Sequence, residues 1–342
     1  MLRKLSTAFM MAAMLSSCGR AERPQELHPA IAQGEHPYAY YALSHRERVL
    51  YDTVASALMY HRDRIKTDSS QGFTYDEIYG IYQLIYTDEY RIFFASPRFG
   101  YDADSGTMTF SYTCTREEQT AMQKRLDTAA DRILCQTEGL DSYRTALAIH
   151  DGIIAACRYG EGGYGNTAYG CLVEGSAMCR GYTAAFSYLC SRAGIRTASV
   201  RDRDDTHIWS MAYLDGKWYH IDVTWDDPDD VAHPSYAKYD CFCLDDTGQE
   251  ITQDIPDAAK GRSYFEEYGL IADSTDSAER IIKRSDAEVI QFRAADKGVY
   301  EDIKKALFGD TPRLRDILTD KDGFDGAGYS CDPDTLVIRI FT

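Results

Sequence analysis

Cys179 is the residue of this chain that is best placed to act as a nucleophile. It follows Ser176, a potential helix N-cap, and from Tyr182 onward apolar residues recur at helical spacing until Gly194, a residue type common at helix ends. A thiol in the first turn of a helix meets the positive end of the helix dipole, which lowers a cysteine pKa from about 8.5 towards 3.5–7.5. Unpaired amides there would also stabilise an acyl-transfer oxyanion. A lone cysteine near a helix start is more often a small core residue, so the interpretation requires a base nearby.

A predicted β-hairpin supplies such a base. Asp215-Gly216 separates two β-prone runs, which is a strong signal for a two-residue turn. A turn centred there pairs residues whose numbers sum to 431, so His207 faces Thr224 and shares one face of the sheet with Asp222. Diagonal neighbours have Cβ atoms about 7 Å apart or less, within reach of an imidazole–carboxylate hydrogen bond. A carboxylate that orients a histidine beside a thiol is an arrangement used in nucleophilic catalysis.

Other hairpin residues leave alternatives open. His220 lies on the same face and is a rival base. Trp209 flanks the pair, where it either shields the pair from water or simply packs. Trp225 falls on the opposite face with Tyr219, Ile221 and Val223, where we expect burial. The histidine and aspartate also have plain structural interpretations, as a strand histidine and as a solvated carboxylate near a turn.

Three short blocks follow one another along the chain: Cys179-Arg180-Gly181-Tyr182, His207-Ile208-Trp209, and Asp222-Val223-Thr224-Trp225-Asp226-Asp227-Pro228. In this order they resemble the core of the bacterial transglutaminase-like superfamily. The resemblance covers roughly residues 141 to 246 and includes Ile149-His150-Asp151, Tyr159 and Tyr239-Asp240-Cys241-Phe242.

The resemblance implies an α+β fold with a papain-like transglutaminase core, in which the cysteine-bearing helix packs on an antiparallel sheet, and with N- and C-terminal α+β extensions. It assigns the nucleophile to Cys179, the base to His207 and the orienting acid to Asp222. Tyr169 is a candidate for the second oxyanion donor. The superfamily includes cross-linking transglutaminases, proteases, amidases and inactive relatives, so the fold does not select the reaction.

Three functions therefore stay open. We favour a surface-anchored cysteine-type acyl transferase or hydrolase that cleaves peptide or amide bonds through a thioester, with a protein, a peptide or a cell-wall amide as substrate. The alternatives are a transamidating cross-linker and a catalytically silent binding or adhesion module, since 26 tyrosines would suit a recognition surface. No cofactor is implied. Cys241-Phe242-Cys243 resembles half of a metal site, but no second Cys/His pair has zinc spacing, so we expect no metal.

The N-terminus is typical of an export signal. A positively charged start precedes a short apolar stretch over residues 5–15, which is too short to span a membrane. Leu15-Ser16-Ser17-Cys18 resembles a bacterial lipobox, in which the cysteine receives lipid. We expect residues 1–17 to be a lipoprotein signal peptide, 18–40 a tether, and the protein to be exported and lipid-anchored in the bacterial cell envelope, on its periplasmic or extracellular face. A plain signal peptide is the alternative.

The composition limits the possible partners and the redox chemistry. There are 54 Asp and Glu against 37 Lys and Arg, a net charge of −17, which makes nucleic acid an unlikely partner and leaves the N-terminal lipid as the only expected membrane contact. Of ten cysteines, Cys18 is assigned to lipid and Cys179 to catalysis. The remaining eight could be oxidised after export.

The rest of the chain divides into three predicted regions: an N-terminal α+β region (41–140), the catalytic core (141–246) and a C-terminal α+β region (247–342). Capping boxes predict helices after Ser44, Thr74 and Thr115, with a hairpin near residues 99–112. The core should begin with a helix at about 141–157, and the C-terminal region should contain a strand at 288–293, a helix at 300–308 and a strand at 335–341. We expect the N-terminal region to be an extension rather than part of the site.

Overall fold

The structure, a computed structural model, describes residues 36–68, 71–228, 236–251, 255–310, 312–319 and 328–342. The predicted signal peptide, its lipidation site Cys18 and the tether up to residue 35 lie outside the described residues. Within the described part, helices and mainly antiparallel sheets are mixed along the chain, which confirms the predicted α+β class. None of the helices in this part is long and apolar enough to cross a membrane.

Three capped helices and a small sheet form the N-terminal region. Its elements are α1 (His45–Met59), β1 (Arg64–Lys66), α2 (Tyr75–Asp88), β2 (Gly100–Asp102), β3 (Thr107–Thr109) and α3 (Arg116–Leu134). The predicted capping boxes are confirmed at all three helix starts, where Ser44, Thr74 and Thr115 each exchange hydrogen bonds with the glutamate three residues later. The predicted hairpin is β2–β3, and β1 pairs with the other edge of β3.

The central region packs a helix that begins at Cys179 onto an antiparallel sheet. Its elements are α4 (Ser142–Ala156), β4 (Arg158–Tyr159), β5 (Ser176–Ala177), α5 (Cys179–Arg192), β6 (Thr197–Arg201), β7 (Ile208–Leu214), β8 (Lys217–Ile221), α6 (Val223–Asp226) and β9 (Phe242–Leu244). The four-stranded sheet has the order β6-β7-β8-β9. Helix α5 contacts β7, as the resemblance implies, and it also contacts α4.

Helix α3 belongs to the same hydrophobic core as the central region. Its buried residues Leu126, Ala130 and Ile133 pack in one cluster with α4 and α5. A Cβ at Gly152 of α4 would lie 2.6 Å from a methyl carbon of Ile133, so this glycine permits the close approach of the two helices. The expected boundary between residues 140 and 141 therefore does not separate two hydrophobic cores.

The predicted register of the β7–β8 hairpin is confirmed. Pairs run from Leu214 with Lys217 to Ser210 with Ile221, and each pair of numbers sums to 431. Asp215 and Gly216 have φ angles of +47° and +86°, as a tight hairpin turn requires. The alternation of side chains places Ala212, Leu214, Tyr219 and Ile221 in one hydrophobic core with α5, while Trp209 and Met211 on the other face pack in a separate small cluster.

The predicted strand after Ile221 is wrong, and with it the expected burial of Trp225. The chain leaves the sheet at Asp222, whose Oδ1 accepts the backbone N–H groups of Thr224 (3.0 Å) and Trp225 (3.1 Å) and so starts helix α6. An aspartate N-cap competes with strand pairing for the backbone N–H groups of the residues that follow it. Val223 stays buried, but Trp225 is turned outward and is 42 % exposed. The predicted pairing of His207 with Thr224 is not formed.

The C-terminal region contains a four-stranded sheet of its own. Its elements are α7 (Tyr264–Glu267), β10 (Ile271–Ala272), α8 (Thr275–Arg284), β11 (Val289–Ala294), α9 (Lys297–Phe308), α10 (Leu314–Thr319), β12 (Gly328–Asp332) and β13 (Val337–Phe341). The sheet order is β10-β11-β13-β12. The predicted strands at 288–293 and 335–341 and the helix at 300–308 correspond to β11, β13 and α9, and apolar residues of these elements form a core of their own.

Candidate active site

Cys179 is the first residue of helix α5, which confirms its place in the first turn. The N-cap is Met178, not the predicted Ser176, because Ser176 pairs with Arg158 in the short β4–β5 sheet. Met178 donates its N–H to the carbonyl of Gly165 (2.9 Å), which holds the 165–167 loop beside the thiol. A Cβ on Gly181 would lie 2.4 Å from that same carbonyl oxygen, so the contact requires glycine at this position.

Asp222 is oriented by two sets of hydrogen bonds. Its Oδ1 caps helix α6, while its Oδ2 lies 2.6 Å from Nε2 of His207. The carboxylate is buried, so the cap holds it in one orientation with the second oxygen aimed at the imidazole. The sheet face predicted from the hairpin register thus brings His207 and Asp222 together, although Asp222 itself lies just beyond the paired strand.

His207 also contacts the thiol of Cys179. The two side chains stabilise each other's charged forms, and since Nε2 faces Asp222, the nitrogen left for the sulfur is Nδ1. Burial by itself raises the pKa of the Cys179 thiol, but His207 and the N–H groups of Ile208 and Arg180 outweigh it and bring that pKa below its ordinary value. Burial by itself lowers the pKa of His207, but Asp222 and Cys179 raise it to about 9. Both shifts favour a thiolate–imidazolium pair near neutral pH.

Two tryptophans enclose the His207 ring. Trp225 lies parallel to it, with ring centroids 4.8 Å apart and planes 9° apart, and Trp209 stacks at 5.7 Å and 19°. Trp209 is buried, and its Nε1 donates to Nδ1 of His220 (3.0 Å). His220, the rival base, is thus engaged with Trp209, and burial lowers its pKa. Trp209 is held in place by this bond, and Trp225 shields the ring from the solvent side.

A cleft of about 750 Å³ opens beside Cys179 and His207. Its walls come from both the central and the N-terminal regions: Tyr75, Tyr79, Gln83, Tyr86, Pro97, Arg98, Phe99, Tyr159, Asn166, Met178, Cys179, Arg180, Arg201, Asp205, Thr206, His207 and Ile208. The expectation that the N-terminal region is an extension outside the site is therefore wrong. Sequence patterns could not indicate this, because α2 meets the cleft only through tertiary packing.

Tyr169, the candidate oxyanion donor, does not line this cleft. It is buried, with its ring stacked on Phe93 at 5.5 Å and 11°. Besides the N-terminal wall, sequence reasoning missed the cleft residue Asn166, whose neighbour Gly165 is bonded to the residue before Cys179. No helical or strand pattern marks Asn166, because it lies in a glycine-rich loop.

A buried charged cluster anchors helix α6 behind the site. His150 lies 2.9 Å from Asp151 through Nδ1 and 3.2 Å from Asp226 through Nε2. Asp226 also accepts the N–H of Cys241 (3.0 Å). Burial alone lowers the pKa of His150, but the two carboxylates raise it to about 9. This cluster fixes the helix that Asp222 caps.

The other cysteines take no part in the site. All nine cysteines among the described residues are free thiols, so the structure shows none of the disulfides that export could form. The described residues contain no group of three or more His, Cys, Asp or Glu side chains arranged to hold a metal ion, so neither Cys241 nor Cys243 belongs to such a group there.

Among known proteins, two solved structures are similar to part of the chain. One, named a "Putative Cysteine Protease" from Cytophaga hutchinsonii, has 22% identity over 30% of this chain and 37% of its own, with a TM-score of 0.25. The other, named a TGase, has 14% identity over 47% of this chain and 49% of its own, with a TM-score of 0.28.

These structural similarities are too weak to carry an argument, and the chain spans less than half of either structure. No curated protein matches the sequence significantly. The family whose model matches is described as the transglutaminase-like superfamily. By this match, residues 130–223, which include Cys179, His207 and Asp222, correspond to a transglutaminase-like superfamily domain.

Proposed function

We propose that this protein is a cysteine-type acyl transferase that acts mainly as a hydrolase of peptide or amide bonds, with Cys179 as nucleophile, His207 as base and acid, and Asp222 as the orienting carboxylate. One observation carries the proposal. His207 interacts with the Cys179 thiol and lies 2.6 Å from the carboxylate of Asp222 through Nε2, and both Cys179 and His207 line an open cleft.

The reaction follows from the charges of this pair. The Cys179 thiolate attacks the amide carbonyl carbon and forms a C–S bond, while the carbonyl π electrons move onto oxygen. The oxyanion then collapses, the C–N bond breaks, and the His207 imidazolium gives its proton to the leaving amine. Water, deprotonated by His207, attacks the thioester, releases the acid and regenerates the thiol. Asp222 holds the ring and stabilises its charge throughout.

The oxyanion would be held by the backbone N–H of Cys179 and by the side-chain amide of Asn166. Cys179 starts helix α5, so its N–H has no partner within the helix and lies at the positive end of the dipole. The bond between Met178 N–H and the Gly165 carbonyl joins the residue before Cys179 to the residue before Asn166, and both Cys179 and Asn166 line the cleft. Two donors that converge on a developing negative charge are worth several powers of ten in rate.

The open cleft favours hydrolysis over transamidation. Cys179 is only partly buried, and water reaches a thioester formed there unless a second substrate covers it. A transamidating cross-linker is the second candidate, and a labelled primary amine supplied with a glutamine peptide separates the two. Amine incorporation that exceeds hydrolysis would favour the cross-linker.

The thiol itself provides the decisive test. We expect iodoacetamide near neutral pH to alkylate Cys179 much faster than the exposed Cys135 of the same chain, as measured by mass spectrometry. The change His207→Ala should remove this difference, while Cys135→Ser should leave Cys179 unaffected. A wild-type Cys179 that reacts no faster than Cys135 would contradict the proposed activity and favour a silent binding or adhesion module.

We further propose that the protein works at the bacterial cell surface, anchored through lipid on Cys18. The support is the lipobox-like sequence Leu15-Ser16-Ser17-Cys18 alone. Metabolic labelling with an alkynyl fatty acid in a bacterial host tests it. We expect label in the full chain and none after Cys18→Ser; equal labelling of both would overturn the anchor.

A further inference from the structure

The cleft beside Cys179 differs in charge from the rest of the molecule. The chain has a net charge of −17, yet three arginines and only one carboxylate line this cleft. Arg201 and Asp205 form an ion pair at 3.7 Å. Arg98 and Arg180 form no ion pair within 4 Å with any residue that the structure describes. Asp88 acts electrostatically on Arg180 but is buried and does not line the cleft.

These two arginines come from different regions of the chain. Arg180 directly follows Cys179, and its guanidinium lies 5.2 Å from the ring centroid of Tyr86. Arg98 is exposed and belongs to the N-terminal region, in the segment before β2. A ligand in the cleft beside the thiol therefore meets guanidinium groups from two different parts of the chain.

Aromatic side chains beside Arg98 form an exposed surface. Tyr75 and Tyr79 are 54 % and 47 % exposed, with ring centroids 6.1 Å apart, and Tyr75 lies 6.2 Å from Phe99. Tyrosine rings supply contact area at little cost in side-chain entropy, and exposed aromatic groups of this kind mark binding sites.

We propose that the cleft selects an anionic peptide as acyl donor, with carboxylates beside the scissile amide that pair with Arg98 and Arg180 and with its apolar groups on Tyr75, Tyr79 and Phe99. This inference rests on the proposed function, since it names the substrate class of the same site. Guanidinium groups bind carboxylates in bidentate geometry, and a positive cleft on an acidic protein concentrates anions that the remaining surface repels.

A pair of alkylating reagents measures the local charge without knowledge of the substrate. Iodoacetate and iodoacetamide attack the same thiol but differ by one negative charge. We expect Arg98→Gln and Arg180→Gln each to lower the iodoacetate-to-iodoacetamide rate ratio at Cys179, by about twofold for a charge about 8 Å away at low salt. The surface change Arg132→Gln removes the same charge outside the cleft and should leave the ratio unchanged.

Protection of Cys179 by peptides gives a second measurement. A capped tetrapeptide with one phenylalanine and two glutamates should slow alkylation by iodoacetamide more than the peptide with two glutamines in their place. Arg98→Gln should reduce this difference, and Arg98→Gln combined with Arg180→Gln should abolish it. High salt should also reduce it. Equal protection by the two peptides, with a rate ratio that the arginine changes do not alter, would overturn the anionic-peptide proposal. Slow alkylation by both reagents in the wild type would instead contradict the catalytic function itself.

Discussion

Trp225 lies flat against the imidazole of His207, with ring centroids 4.8 Å apart and planes 9° apart. This contact exists because Asp222 ends the strand and starts helix α6, which turns the tryptophan from the predicted buried sheet face onto the ring of His207. The Asp222 carboxylate therefore both orients His207 and positions Trp225, the residue that stacks on the histidine ring.

The first prediction concerns Trp225→Ala. Because Trp225 is 42 % exposed, its loss should cost less free energy of unfolding than the roughly 3–5 kcal/mol of a buried tryptophan. The pKa of His207 should fall, since the imidazolium loses a stacked aromatic face. NMR titration of His207 and thermal melting check both effects, and Trp225→Phe should keep most of the stacking. A large drop in melting temperature with an unchanged His207 pKa would refute this role.

The second prediction concerns Asp222→Ala. The change removes the N-cap of α6, at about 1 kcal/mol of stability, and the partner of His207. We expect acylation by p-nitrophenyl acetate to slow by up to about 10⁴-fold, the effect of removing the orienting carboxylate in a triad. Asp215→Ala is the matched control, because that carboxylate bonds Ser142 and Arg262 at the far end of the same hairpin. Equal loss of acylation in both variants would indicate general disruption of the hairpin.

The third prediction concerns pH. The pKa of Cys179 lies below its ordinary value and that of His207 at about 9, so the thiolate–imidazolium pair exists between the two. As pH increases, the rate of amide cleavage should therefore rise with a midpoint below about 8.5, the ordinary cysteine pKa. It should fall again as pH passes about 9, where the imidazolium loses the proton that the leaving amine needs. A pH–rate profile on a peptide anilide checks both limbs. A single rise centred near 8.5 would contradict the pairing.

The fourth prediction concerns Asn166→Ala. Alkylation by iodoacetamide develops no oxyanion, so its rate at Cys179 should stay near that of the wild type. Acylation by p-nitrophenyl acetate should fall by about 10²–10³-fold, as for the loss of one oxyanion donor. Gln83→Ala removes another amide from the cleft lining and should affect acylation little. Equal losses in both reactions would show that Asn166 instead positions the thiol.

The fifth prediction concerns His150. Its folded pKa of about 9 lies above the ordinary value of 6.5, so its contribution to stability is fully present below about pH 6.5 and is lost as pH rises through about 9. Urea unfolding measures the free energy of unfolding at pH 6 and at pH 10. Between these two pH values, His150→Gln should lose less stability than the wild type. An equal loss in both proteins would show that this cluster does not titrate as described.

Much of the site could be predicted from local patterns in the sequence. The helix after Cys179 follows from the spacing of its apolar residues, and the turn at Asp215-Gly216 sets the register that puts His207 and Asp222 on one face. Both are short-range effects, since backbone geometry and side-chain periodicity determine them over a few residues. The α+β class and the capped N-terminal helices follow for the same reason.

Tertiary structure alone decided the remainder. Whether Asp222 would continue the strand or cap a helix depended on competition between sheet pairing and a local side-chain bond, which periodicity does not resolve. The cleft wall formed by α2, the stacking of Trp225 on His207 and the bond between the loop of Gly165 and the start of α5 all join residues that are distant in sequence or lie in irregular loops. Such contacts depend on the packing of whole elements, which no local pattern encodes.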